Sequence, residues 1–233
     1  MFNIIGLSHL VFTVNNKEFK DSNYLKDRFF NPENFIFDHY QFKNSLLRNP
    51  NNKFSKITLY KSSDNNFPAI EFIDSESSNY RPKDSYGIID KSYVKAESFS
   101  TKIQFSNNNY IHTYYCPKLN LNICNKTDVI SNDVGLWIKV FNFKQQVEFF
   151  KKNLKLNCYY EDNYKANFST RIVNKSFSNF DIVIFKSSKK QSFFNDDIGL
   201  STIGWITKNL VDKTFLDGFH LTEPFKIKLG KDI

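Results

Sequence analysis

The sequence repeats one order of predicted elements, strand–helix–strand–strand–strand, and this repeat limits the fold more than any other feature. The first copy opens with an apolar, β-branched run at 6–14 that ends at Asn15 and Asn16. A weakly patterned helix is predicted over 17–30, and Pro32 marks a break after it. Three strand-like runs separated by polar loops follow, at 35–42, 54–60 and 69–74. This first third of the chain is therefore one βαβββ unit.

The second copy opens with another apolar run, at 134–140. Four apolar residues then recur at i, i+4, i+7 and i+11, which places them on one face of a helix: Phe143, Val147, Phe150 and Leu154. Three strand-like runs complete this copy, at 156–160, 167–173 and 181–185. Two such copies predict an α+β fold of paired βαβββ modules, which we expect to divide into domains at 1–130 and 131–233.

The segments outside the two copies predict extra strands after each module. Residues 99–105 and 110–116 read as a hairpin, and residues 199–206 echo the opening strand of the first copy. The C-terminal segment 219–229 is apolar enough for a further strand. The polar stretch 76–97 is expected to be a loop.

Composition excludes several classes of protein. The chain has 233 residues, 40% of them hydrophobic, which is sufficient for a buried core. No apolar run approaches the ~18–20 residues of a membrane helix, and the first residues lack the pattern of a secretory signal, so we expect a cytoplasmic protein without a membrane segment. The net charge is +8, but the lysines are scattered and not clustered, which argues against a nucleic-acid partner.

Other sequence motifs offer no competing chemistry. The three cysteines, Cys116, Cys124 and Cys158, match no zinc or redox spacing and are expected to be reduced. The sequence contains no glycine-rich phosphate loop, no G-x-S-x-G elbow and no H-E-x-x-H motif.

Two stretches of the sequence resemble the vicinal oxygen chelate superfamily, which includes glyoxalase I, bleomycin-resistance proteins and extradiol dioxygenases. Residues 5–14, Ile-Gly-Leu-Ser-His-Leu-Val-Phe-Thr-Val, resemble the opening strand of its first module. Residues 135–140 and the amphipathic helix at 143–150 resemble the opening of the second. The resemblance covers about 4–75 and 134–188. It implies paired βαβββ modules that form a half-open barrel around a cavity.

The resemblance implies a metal site at His9 and Glu71. In metal-using members, the first strand of a module supplies a His and its last strand supplies a Glu, and these two residues stand at those positions. An imidazole and a carboxylate can bind a divalent ion such as Zn, Mn, Fe or Ni. Strand alternation places His9 with Leu7, Val11 and Thr13 on one face. A Glu in an otherwise apolar strand is costly unless it is paired or ligating, so Glu71 is the more informative residue.

The second module departs from the ligand pattern of the superfamily. Aligning Val14 with Val140 places Gly135 opposite His9, and aligning the last strands of the two modules places Val183 opposite Glu71. Neither side chain can bind a metal. The sequence leaves open whether another residue completes the site. The candidates for a third ligand or a pocket residue are His112, His39, His220 and Glu223, and those for the pocket lining are Trp137, Trp205 and Thr202.

The leading hypothesis is a divalent-metal-dependent enzyme that acts on a small oxygen-rich substrate chelated in the cavity. Isomerase or lyase chemistry is favoured over dioxygenase chemistry, because a dioxygenase of this family needs two His and one Glu and only one His is well placed. The general base is unidentified. The alternative is a metal-free binding or resistance-type protein of the same fold, whose basic surface would suit an anionic ligand. The family also pairs half-barrels between chains, which leaves a homodimer open.

Overall fold

A computed structural model describes thirteen segments of the chain, and all structural statements concern these segments. They are residues 4–15, 19–20, 22–29, 33–38, 54–61, 67–75, 77–93, 100–106, 109–125, 129–170, 180–190, 197–207 and 226–231. Within them no helix is long and apolar enough to cross a membrane. The three cysteines are free thiols, as expected.

The first βαβββ module forms the middle and one edge of a six-stranded sheet. Its elements are β1 (Ile4–Val14), α1 (Asn23–Arg28), β2 (Glu33–Asp38), β3 (Phe54–Tyr60) and β4 (Ala69–Asp74). The strands lie in the order β1-β4-β3-β2, and β1 and β4 are parallel. The helix is shorter than the predicted span 17–30. The repeat order predicted for this half is confirmed.

The second module forms part of an eight-stranded sheet. Its elements are β9 (Val134–Val140), α2 (Phe143–Lys152), β10 (Asn157–Glu161), β11 (Lys165–Ser169) and β12 (Phe180–Lys186). The strand order β9-β12-β11-β10 repeats that of the first module, and β9 and β12 are parallel. Helix α2 buries Phe143, Val147 and Phe150, the apolar face that its spacing predicted.

The remaining strands are exchanged between the two halves. The segment after the first module supplies β5 (Tyr86–Asp90), β6 (Ser100–Ser106), β7 (Asn109–Cys116) and β8 (Leu121–Cys124), and these strands join the sheet of the second module. The segment after the second module supplies β13 (Gly199–Thr207) and β14 (Lys226–Lys231), which join the sheet of the first. The domain boundary at residue 130 stays a prediction. The expectation of a loop over 76–97 was wrong, because β5 lies inside that stretch.

One hydrophobic core joins the two sheets. Phe12 of β1 contacts Phe72 of β4 and Tyr86 of β5, at ring-centroid distances of 5.8 and 6.4 Å. The same core includes residues of both helices, such as Leu25 and Phe150. We call the face of each sheet that contributes to this cluster the core face, and the opposite face the reverse face. The core face thereby fixes the two modules against each other.

A buried ion pair also ties the first module to the second sheet. The carboxylate of Asp90, at the end of β5, accepts hydrogen bonds from Arg28 Nε at 2.8 Å and from its Nη2 at 3.2 Å. The hydroxyl of Tyr24 donates to the same carboxylate at 3.2 Å. Because Asp90 is fully buried, this bidentate pairing is what makes its charge tolerable there.

Candidate functional site

His9 lies near the middle of β1, between two neighbouring strands. On one side β13 runs antiparallel to β1, and Gly204 is opposite His9. On the other side β4 runs parallel to β1, and Ala69 is opposite His9. The even-numbered neighbours Leu10 and Phe12 point to the shared core, so the alternation of the strand puts His9 on the reverse face. The prediction that Leu7 shares this face was wrong: Leu7 is buried in the shared core, because the pairing of β1 with β13 shifts register between Leu7 and His9.

Glu71 is brought to His9 by the register of β1 and β4. Val11 is opposite Glu71, so the carboxylate lies diagonally across from the imidazole on the same face. The distance from His9 Nε2 to Glu71 Oε2 is 3.4 Å, and the side chains are only 16% and 10% exposed. The juxtaposition of these two side chains carries the candidate site.

The position of Glu71 is one where a lone carboxylate would be unfavourable. Its strand neighbours Ile70 and Phe72 are buried in the shared core, and Glu71 itself is 7% exposed. An ionised carboxylate in such surroundings needs a cationic or hydrogen-bonding partner. The imidazole of His9 supplies one such partner, either directly or through a cation held between them.

The spacing of the two groups fits a shared divalent ion. Two ligands that each lie about 2.1 Å from a tetrahedral ion are about 3.4 Å apart. The observed distance of 3.4 Å between His9 Nε2 and Glu71 Oε2 agrees with this value. An imidazole nitrogen with a carboxylate oxygen is also a common donor pair for zinc and other divalent transition metals. These two residues therefore fit as half of a metal site.

The equivalent positions of the second module contain no ligand. The register of β9 with β12 pairs Gly135 with Asp181 and Trp137 with Val183. This is the same offset as in β1 and β4, so Gly135 and Val183 take the places of His9 and Glu71. Trp137 and Val183 are fully buried in a small separate cluster that also contains Phe185, Ile103 and Ile111. Where the first half has the His9–Glu71 pair, the reverse face of this half is therefore filled by apolar side chains.

The other sequence candidates are not brought to His9 in the parts that the structure describes. His112 is exposed on β7, in the eight-stranded sheet. Thr202 and Trp205 belong to β13 beside β1, but their side chains lie outside what the structure describes. His39, His220 and Glu223 also lie outside the described residues. Among the segments that are described, no group of three or more His, Cys, Asp or Glu side chains could hold a metal.

Three features of these faces could not be recognised from the sequence. The first is Gly204, which has the imidazole of His9 against its backbone. The second is Asp181, a fully buried carboxylate that accepts hydrogen bonds from Ser131, Asn132 and Tyr159. The third is Lys139, whose pKa is lowered by burial although Asp84 lies 3.7 Å away. Each depends on a partner that is distant in the chain.

Comparison with solved structures shows the fold. A Bacillus subtilis protein named "putative dioxygenase" superimposes with a TM-score of 0.54 and 10% identity, over 88% of this chain and 71% of that one. Glyoxalase I from Zea mays gives a TM-score of 0.46 and 10% identity, over 88% and 75% of the two chains. The cppA protein from Streptococcus pneumoniae gives 0.42 and 9%, over 90% and 84%. No protein-family model and no curated protein matches the sequence.

Proposed function

We propose that this chain, which has the fold of the vicinal oxygen chelate superfamily, is a divalent-metal-dependent enzyme with its site at His9 and Glu71. The observation that carries the proposal is the 3.4 Å approach of an imidazole to a carboxylate on adjacent parallel strands. Both side chains are largely buried, so the pair is held in one arrangement by the sheet. The fold and this pair of side chains both support the proposal.

His9 and Glu71 would hold the ion through Nε2 and Oε2. A bound divalent ion acts as a Lewis acid toward substrate oxygens and stabilises an enolate or oxyanion. The chain contributes the neutral imidazole, the carboxylate charge and apolar surroundings such as Val11, which is 2% exposed. Such surroundings limit the access of water and strengthen electrostatic interactions with a bound substrate.

The substrate proposed for this site is a small oxygen-rich molecule that chelates the ion. Isomerase or lyase chemistry is favoured over dioxygenase chemistry, because His9 is the one His that the described segments place beside Glu71. The net charge of +8 favours an anionic substrate. An imidazole and a carboxylate can bind zinc, manganese, iron or nickel, so these two ligands do not select one metal. The metal is to be identified from the metal content of the purified protein.

The direct test is the metal content of protein purified without chelators. We expect about one divalent ion per chain in the wild type and its loss in His9→Ala and Glu71→Gln, because each variant removes one of two close ligands. His112→Ala is the matched control, since His112 is exposed on the other sheet, and it should retain the ion. Metal retained in both His9→Ala and Glu71→Gln would reject the site.

A metal-free binding protein of the same fold is the second candidate. It is supported by the second module, where Gly135 and Val183 stand at the positions equivalent to His9 and Glu71 and the strands are well packed without a ligand pair. This candidate predicts a metal-free wild type that binds a small anionic molecule as well as His9→Ala does. Binding that weakens steeply with ionic strength, in contrast, would indicate a polyanionic partner such as nucleic acid.

A further inference from the structure

We propose that Gly204 is a positioning residue for the His9–Glu71 pair, because its lack of a side chain leaves the space in which the imidazole lies. The metal-binding part of this inference rests on the proposed function. The contact itself does not, since it concerns only the placement of one ring against one strand.

The contact is between β13 and the far end of the His9 side chain. A Cβ atom built on Gly204 would lie 2.5 Å from His9 Cε1, 2.8 Å from Nδ1 and 2.9 Å from Nε2. Non-bonded carbon and nitrogen atoms in proteins approach each other to about 3.5 Å. Any side chain at residue 204 would therefore occupy the position of the imidazole ring.

The need at residue 204 is for space and not for an unusual backbone. Gly199 is the described glycine with a positive φ, at 130°, whereas Gly204 lies inside β13, next to the register shift of β1 between Leu7 and His9. An alanine could thus adopt the backbone conformation of Gly204. Its methyl group would instead push the imidazole aside.

The imidazole can move without disturbing the sheet. The three close atoms belong to the ring, which rotates about two side-chain bonds, while β1 and β13 keep their hydrogen bonds. Such a rotation would carry Nε2 away from Glu71 Oε2, which is 3.4 Å distant in the present arrangement. Gly204→Ala should therefore change the site and leave the fold intact.

Gly87 in the second half provides a matched comparison. A Cβ at Gly87 would lie 2.4 Å from Trp137 Nε1 and 2.7 Å from the backbone oxygen of Asn122. Trp137 is fully buried and the Asn122 oxygen belongs to the neighbouring strand β8, so neither can yield easily. Gly87→Ala should reduce stability and leave the His9–Glu71 pair unchanged.

The experiment measures cobalt binding and stability in the full chain. Co²⁺ is titrated into metal-stripped wild type, Gly204→Ala and Gly87→Ala, and its visible absorption reports binding. We expect the Kd of Gly204→Ala to rise about 10–100-fold, the range typical when a residue that orients a metal ligand is changed. Its urea midpoint should match that of the wild type. Gly87→Ala, in contrast, should have a lower urea midpoint and the wild-type Kd for Co²⁺. Wild-type Co²⁺ affinity in Gly204→Ala would overturn the proposal.

Two further measurements keep the contact testable by itself. In the wild type, a nuclear Overhauser effect between His9 Hε1 and the Gly204 Hα protons is expected, and its absence would overturn the proposal whether or not metal binds. If the wild type binds no Co²⁺ but shows this effect, the proposed function fails and the contact stands. If Gly204→Ala lowers the urea midpoint, His9→Ala/Gly204→Ala should be as stable as His9→Ala alone, because the clash is with the imidazole. A double variant that is less stable than His9→Ala would also overturn the proposal.

Discussion

The two modules share one topology, yet their reverse faces are filled by different chemistry. In the first module, His9 and Glu71 meet across β1 and β4. In the second, the corresponding strands pair Trp137 with Val183, and both side chains are fully buried. At these equivalent positions, one face holds a polar pair and the other holds part of a hydrophobic cluster.

The glycines on the exchanged strands make this difference more instructive. Gly204 of β13 lies under the imidazole of His9, and Gly87 of β5 lies under the indole of Trp137. In both halves, the glycine lies on a strand that follows the other module in the chain, β13 or β5. It leaves room for a ring on the opening strand of the module that it joins, β1 or β9. The space beside the glycine is occupied by a possible metal ligand, His9, in one half and by a core side chain, Trp137, in the other. Topology alone therefore does not decide which half carries a site.

The strongest test of this contrast is Trp137→Ala, because it removes the largest side chain of the hydrophobic cluster on the reverse face of the second half. Removal of a fully buried aromatic side chain typically costs about 3–5 kcal/mol in the free energy of unfolding. Urea denaturation measures this loss, and Trp137→Phe, which keeps most of the volume, should lose less. Metal content per folded chain should stay at the wild-type value, since His9 and Glu71 lie in the other sheet. Loss of the metal in folded Trp137→Ala would contradict the separation of the two halves.

The sequence predicts the modules well because their signals are local. The period of α2 and the alternation in β1 follow from neighbouring residues, and Glu71 is conspicuous as a charge in an apolar run. The exchange of β5 and β13 between sheets depends on pairings across many residues, which no local pattern encodes. The run 199–206 is visible as a strand, but its place beside His9 is not. Gly204 could therefore be found only from the structure.

A second prediction compares the two buried carboxylates, Glu71 and Asp181. Asp181 accepts hydrogen bonds from Ser131 Oγ at 3.2 Å, Asn132 Nδ2 at 2.8 Å and Tyr159 Oη at 2.9 Å. Asp181→Ala removes these charge-assisted hydrogen bonds, so we expect a loss of about 2–3 kcal/mol in the free energy of unfolding. Chemical denaturation measures the loss.

Glu71→Gln supplies the contrasting variant for this second prediction. Its amide oxygen still accepts a hydrogen bond, so the stability should change by about 1 kcal/mol or less while metal binding is lost. Together the two variants separate a carboxylate that stabilises the fold from one that serves a site. A Glu71→Gln variant as destabilised as Asp181→Ala would show that Glu71 is structural.

The smallest effect is expected at Lys139, which stands on the reverse face of the second half where the first half has Thr13. Burial lowers the pKa of Lys139, and Asp84, which is exposed, offsets this only partly at 3.7 Å. Because the folded-state pKa is the lower one, the unfolded chain binds more protons in the interval between the two pKa values. Wild-type stability should therefore rise with pH through that interval, toward the ordinary lysine pKa near ~10.4.

Lys139→Met removes the buried ammonium and keeps its volume, so the variant should be more stable than the wild type at pH 7 by about 1 kcal/mol. The advantage should shrink as the pH rises through the interval between the lowered folded-state pKa of Lys139 and its ordinary value, because the wild-type amine loses its proton in the folded state first. Urea midpoints at pH 7, 8.5 and 10 measure this trend, and Lys144→Met, at an exposed position on α2, controls for the loss of one positive charge. An advantage that is constant with pH, or a less stable variant, would mean that the Lys139–Asp84 pair supports the fold. The second half would then contain a stabilising ion pair on its reverse face, in addition to the hydrogen-bonded Asp181, and the contrast between the modules would be smaller.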